Sequence, residues 1–216
     1  MTPADRRQAW IFFAIAFAVL AAGFGLRDPW PADEPRFVLV AKQMVESGDF
    51  LFPHRGGELY PDKPPLYFWL LSLAYGLVGS WRWSFLLPSL LAGMGTLALT
   101  YDLGRRLWTP RVGLWAAIAV LVSFQFVYQA KRAQIDPTLV LLTTLAFYGI
   151  CRHVLLGPHW RWFWFGCFAA GLGVISKGVG FLPLLALLPF AVMARLGWRG
   201  LAPLGSGNGW RCCHSR

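Results

Sequence analysis

Seven apolar runs, the last six of them separated by short and mostly basic connections, limit what this chain can fold into. Residues 9–26 form a charge-free run of about 18 residues, just long enough to span a bilayer as a helix. Others follow at 66–79, 85–103, 112–128, 138–151, 162–175 and 181–194. With 12 Trp, 17 Phe and 56% hydrophobic residues, one soluble core does not absorb this much apolar surface. The expected class is an all-α integral membrane protein. The net charge of +10 does not indicate nucleic acid, because Lys and Arg sit in small groups between apolar runs rather than on one soluble face. That spacing follows the positive-inside rule for cytoplasmic loops. Cys151 and Cys167 lie in apolar runs, and Cys212 and Cys213 are adjacent in the tail, so neither a disulfide framework nor a spaced metal site is visible.

The polar interval 28–66 stands apart. Seven of the ten acids fall in it: Asp28, Asp33, Glu34, Glu46, Asp49, Glu58 and Asp62. Asp33-Glu34-Pro35 opens a stretch in which Phe37, Val40, Ala41, Met44 and Val45 recur at helical spacing, and Gly48 stands where a helix stop is expected. A short amphipathic helix on the membrane surface is the expectation. Gly56-Gly57 and the segment from Tyr60 to Pro65 signal turns and extended chain.

Charge then orders the segments. Arg6 and Arg7 keep the N-terminus in the cytoplasm, so 9–26 runs outward and the polar interval begins outside. A cleaved leader is the weaker reading, because Arg27-Asp28-Pro29-Trp30 stands where small residues are needed. At about 14 residues, 66–79 suits an interfacial or re-entrant segment better than a span, and that choice keeps Arg105, Arg106 and Arg111 inside. The expected organisation is a first span in 1–26, an outer catalytic loop in 27–80, about five spans in 81–199 and an atypical tail in 200–216, read as truncated or frame-shifted. This topology gathers Asp33, Glu34, Asp62, Lys63, Arg132, Asp136 and Lys177 on one outer face.

Each of these residues has an ordinary structural role as well as a chemical one. Asp33 is either a proton acceptor at a helix start or only an N-cap. Lys63 sits before Pro64-Pro65, a stiff frame that suits a group holding a phosphate; otherwise Asp62-Lys63 is a solvated pair in a turn. Asp136 precedes Pro137 and serves equally as a helix start, while Lys177 at the lipid boundary is free to snorkel. Together, three cations at Lys63, Arg132 and Lys177 around an acidic pair describe a place for an anionic phosphate beside a general base. Trp30, Phe52, Tyr60, Tyr67 and Trp69 suit sugar-stacking walls, and suit interfacial anchors better.

The pieces DEPRFVLVAKQMVESGDFLFP, LYPDKPPLYFWL, RAQIDPTL and GLGVISKGVGFLPL, in that order, make the chain resemble the GT-C membrane glycosyltransferases that use polyprenyl-phosphate sugars, in the ArnT-like and protein O-mannosyltransferase-like branch. The likeness covers about residues 8–195. It implies a GT-C-type transmembrane helix bundle in the cell inner membrane with its active face periplasmic. It also implies inverting transfer of a sugar from a polyprenyl-phosphate donor to a lipid A, glycan or protein acceptor. In that pattern Asp33 is the base, Lys63 and Lys177 contact the lipid-linked phosphate, Asp136 is the second acid, and Glu34 and Arg36 support the site. Asp62 stands where ArnT-like proteins often carry Glu, one methylene shorter. No cofactor and no obligatory metal are expected, because cations already supply the charge a departing phosphate needs. Family members are longer, so an inactive fragment or a non-catalytic interaction subunit is the alternative. A transporter is disfavoured by the scarcity of mid-helix ionisable residues.

Overall fold

The computed structural model describes residues 1–31 and 33–196, so the expected tail 200–216 lies outside the described residues. Helix α1, Pro3–Ala21, begins earlier than its charge-free run because Thr2 and Asp5 form a reciprocal capping box. It ends where Gly23 and Gly25 take positive φ. A Cβ on Gly25 would lie 2.5 Å from the Trp83 ring, so only glycine allows this turn to close onto the next helices.

Helix α2, Asp33–Ser47, buries Phe37, Val40, Ala41 and Met44 and stops at Gly48, as the apolar spacing predicts. A two-residue hairpin follows, β1 at His54–Arg55 antiparallel to β2 at Glu58–Leu59, turning through Gly56 and Gly57. Helix α3, Leu66–Val78, closes on left-handed Gly79. Its 13 residues give a length of about 20 Å, short of a hydrocarbon core of about 30 Å. It packs on α2 instead, with Tyr67 and Phe68 edge-on to Phe37 at 5.8 and 5.9 Å between ring centroids. Met44, Leu71 and Phe85 complete this core.

The bundle proper follows: α4 Trp81–Ser84, α5 Leu87–Leu107, α6 Pro110–Val122, α7 Phe124–Ala130, α8 Ile135–Leu155, α9 Trp160–Lys177, a 3-10 stretch Val179–Ala186 and α10 Leu187–Arg195. By length and composition, Trp81–Leu107 and Ile135–Leu155 are able to cross a membrane unbroken. Two expected spans differ from single helices. The run 112–128 is broken, α6 and α7 meeting at an angle of 71°. Ser123, in extended backbone, ends one helix and starts the other, and α7 folds back so that Ala130 reaches Gly93 of α5. The run 181–194 divides into the 3-10 stretch, which contains Pro183, and α10, because proline cannot donate the hydrogen bond that an α-helix interior requires.

Glycine pairs set the closest helix contacts. A Cβ on Gly113 of α6 would sit 2.5 Å from the Tyr101 carbonyl oxygen of α5, and one on Gly149 of α8 would sit 2.4 Å from the Trp162 carbonyl oxygen of α9. Small residues at these crossings let backbones touch, which is how helices gain packing energy in lipid. At the end of α5 remote from the polar loop, Asp102 accepts from Arg105, Arg106 and the Tyr148 hydroxyl, and Arg152 donates to that hydroxyl at 2.9 Å.

Candidate functional site

A polar cavity of about 300 Å³ opens where four segments that are distant in sequence meet. The first turns of α2 contribute Asp33, Arg36 and Phe37. The connection before α3 contributes Asp62, Lys63 and Pro64, held by two successive prolines. The start of α8 contributes Gln134 and Asp136, and the last turn of α9 contributes Ser176 and Lys177. Asp33, Arg36, Asp62, Lys63, Asp136 and Lys177, singled out from sequence, therefore share one cavity.

Asp33 is the first residue of α2 rather than its cap, and its carboxylate is bonded to Arg36 and lies 3.4 Å from Gln134 Nε2. Lys177 Nζ pairs with Asp136 at 2.5 Å across α9 and α8. Asp136 lies in the first turn of α8 behind Gln134, which is the N-cap residue. Neither Lys63 nor Asp62 has an ion-pair or hydrogen-bond partner among the described side chains. Two of the cavity's three cations, Arg36 and Lys177, thus already face a carboxylate, and Lys63 does not.

Glu34, expected beside Asp33 as the second member of a catalytic acidic pair, is not placed in the cavity. It is fully buried and lies outside the cavity lining. Arg27 grips it with two bonds of 2.6 and 2.9 Å, while the N–H groups of Trp30 and Ala133 donate to it at 2.6 and 2.9 Å. Burial by itself would push this carboxyl upward, but those donors outweigh it and hold the group below its ordinary value. Arg27 is held above its ordinary value by the same bonds, and it also donates to the Lys131 carbonyl at 2.8 Å. Glu34 is a fastener: it ties the chain after α1, the start of α2 and the α7–α8 connection together, and so sets Asp33 beside Gln134.

Arg132, expected as a third cation, is also placed elsewhere. Its guanidinium stacks over the Tyr128 ring at 5.0 Å and donates to the Tyr128 hydroxyl at 2.6 Å, outside the cavity lining. Among the aromatics, Tyr60 and Tyr67 are buried in the α2–α3 core, Trp30 and Phe52 are exposed, and Trp69 donates its indole N–H to the Phe50 carbonyl. Among the described residues, no group of three or more His, Cys, Asp or Glu side chains is arranged to hold a metal ion.

Sequence reading passed over Arg27, Gln134 and Ser176. Arg27 carries no periodic or motif signal and Gln134 only its place inside RAQIDPTL, and their roles arise from contacts across 7 and 101 residues. Ser176 had a second signal besides its place inside GLGVISKGVGFLPL, its position next to Lys177.

Beside the polar cavity lies an apolar one of about 400 Å³, lined by Gly93, Phe126, Pro137 and Val140 at the bend between α6 and α7. Asp136 borders both.

Comparison with known proteins agrees with this architecture. The arabinosyl transferase of Pseudomonas aeruginosa strain UCBPP-PA14, named for undecaprenyl phosphate-alpha-4-amino-4-deoxy-L-arabinose, is 31% identical over 218 residues, covering 94% of this chain. The second such transferase of Sodalis glossinidius is 32% identical over 181 residues, covering 80% of this chain. The chain spans 38% and 32% of the lengths of these two relatives. The crystal structure of ArnT from Cupriavidus metallidurans bound to undecaprenyl phosphate superposes with a TM-score of 0.78 at 24% identity, over 87% of this chain and 36% of that one. The fold is therefore that of an all-α GT-C membrane bundle. The model of the dolichyl-phosphate-mannose-protein mannosyltransferase family matches residues 62–203, and the chain belongs to that family.

Proposed function

We propose that the polar cavity is the donor site of a membrane glycosyltransferase, which moves a sugar from a polyprenyl-phosphate carrier to an acceptor at the outer boundary of the inner membrane. The observation that carries this reading is the meeting of Asp33, Lys63 and Lys177 in one cavity that adjoins an apolar one. Lys63 and Lys177 face a phosphate there, and the apolar cavity at the α6–α7 bend suits the first isoprene units of a lipid tail. The arabinosyl transferases named above act on a donor of this class, which favours undecaprenyl phosphate as the carrier. Lipid A, a glycan and a protein are the candidate acceptors.

The chemistry follows from the charges. Asp33, oriented by Arg36 and Gln134, takes the proton of the acceptor hydroxyl as its oxygen attacks the anomeric carbon from the face opposite the phosphate. The anomeric C–O bond breaks with its electron pair leaving on the phosphate, and configuration inverts. A phosphate monoester is a good leaving group without protonation, so the site's main task is to stabilise the developing negative charge. Lys63 is placed for this at once; Lys177 joins once the phosphate competes with Asp136 for it.

The reading is tested in proteoliposomes, with an undecaprenyl-phosphate sugar and lipid A as substrates. Transfer is expected, with Asp33→Asn lowering turnover by about 10²–10⁴ while donor binding stays near wild type, and Lys63→Ala weakening donor binding. Near-normal turnover in Asp33→Asn would remove the base. Because relatives are more than twice as long, donor binding without transfer is the second reading, and the same assay separates the two.

A further inference from the structure

Hydroxyls buried in membrane helices are ordinarily satisfied by a carbonyl one turn back, since no water reaches them. Thr96 and Thr143 do this here, donating to the carbonyls of Ala92 and Leu139 at 2.9 and 3.0 Å. Ser176 does not. It lies in the last turn of α9, only 2% exposed, and its Oγ has no hydrogen-bond partner among the described residues. Ser72, Ser89 and Thr138 share that property, but Ser176 alone of these four lines the polar cavity. A second buried polar atom of a cavity residue, Arg36 Nε, is likewise without a partner. Two buried donors of cavity residues that find no acceptor within the protein are available to a ligand that accepts hydrogen bonds.

We infer that the Ser176 hydroxyl is a further binding group for the donor phosphate, donating a hydrogen bond to a phosphate oxygen beside Lys177; this rests on reading the cavity as the donor site. The ligand chemistry follows from the atoms. A hydroxyl with no acceptor at hand is satisfied by an acceptor-only group, and the adjacent ammonium selects a negatively charged one. The carbonyls at the C-terminus of α9 carry the negative end of the helix dipole, so a phosphate there needs both Lys177 and a directed donor. Ser176 also discriminates: its bond to a charged phosphate oxygen is stronger than any it makes to the neutral oxygen of an alcohol, and a hydrocarbon gives it none.

The test measures binding of undecaprenyl phosphate, undecaprenol and inorganic phosphate to the full chain in nanodiscs, for wild type and Ser176→Ala. The expected result is a loss of about tenfold in affinity for undecaprenyl phosphate in the variant, with undecaprenol binding unchanged and inorganic phosphate failing to displace the lipid at millimolar concentration. Ligand-free Ser176→Ala is expected to melt at or above the wild-type temperature, because it loses an unpartnered hydroxyl. Equal undecaprenyl phosphate affinities would overturn the inference and leave the donor site standing. A lower melting temperature of the ligand-free variant would also overturn it, by showing that the hydroxyl serves the fold. Equal wild-type affinity for undecaprenyl phosphate and undecaprenol would remove the donor-site reading, and the inference with it. Displacement by inorganic phosphate would assign the contact to free phosphate rather than to a lipid.

Discussion

A carboxylate whose oxygens are all engaged by donors is a poor proton acceptor, and this separates Glu34 from Asp33. Glu34 receives Arg27 twice and two backbone N–H groups inside the protein, whereas Asp33 keeps an exposed face in a cavity. Removing the charge at Glu34 leaves the half-buried Arg27 facing a weaker partner. Glu34→Gln is expected to destabilise the protein by about 2–4 kcal/mol, read as a lower midpoint in denaturant-titrated unfolding in detergent. The pH dependence has a definite sign. Because the folded protein holds Glu34 below its ordinary value of 4.5, its contribution is full above that pH and is lost as the pH falls through the depressed folded value. Glu34→Gln should flatten that part of the stability profile; an unchanged acid limb would show that other carboxylates set it.

At the scale of elements, helix contacts rather than helix composition place the site. Asp136 on α8 reaches Lys177 on α9 because the two helices run close along Gly149 and Gly166. A side chain at Gly149 would collide with backbone, which has no rotamer by which to yield. Gly149→Leu is therefore expected to part α8 from α9, cost about 1–3 kcal/mol in stability and weaken phosphate binding at the far end of the pair. Melting and donor titration of the same variant check both effects; wild-type behaviour in both would show that the crossing is not rigid. The helix α2 and its stop at Gly48 were legible from the spacing of Phe37, Val40, Ala41 and Met44. The break at Ser123 was not, since neither Pro nor Gly marks it and the bend is fixed by α7 packing back on α5.

For the whole molecule, the charge pattern predicts that the cavity lies on one side of the membrane and Asp102 with its arginines on the other. A cysteine in place of Lys63 should react with an impermeant thiol reagent added outside, and one in place of Arg106 should react only after permeabilisation. Labelling of both from outside would mean that α3 crosses, and the reverse pattern would mean that the whole orientation is inverted. The sequence by itself determined the all-helical membrane class, the polar face carrying Asp33, Asp62, Lys63, Asp136 and Lys177, and the short length of α3. These rest on hydrophobic run length, charge bias and local backbone preference, which act over a few residues at a time. Only the tertiary structure decided that Glu34 faces inward to Arg27, that Arg132 turns to Tyr128 and that Ser176 opens onto the cavity. Arg27–Glu34 and Arg132–Tyr128 are close in sequence, but which way these side chains turn depends on how the α7–α8 connection packs on α2, through contacts such as Ala133 to Glu34 and Gln134 to Asp33. A pairing across a hundred residues is selected by packing geometry, for which the linear order of residues carries no local signal.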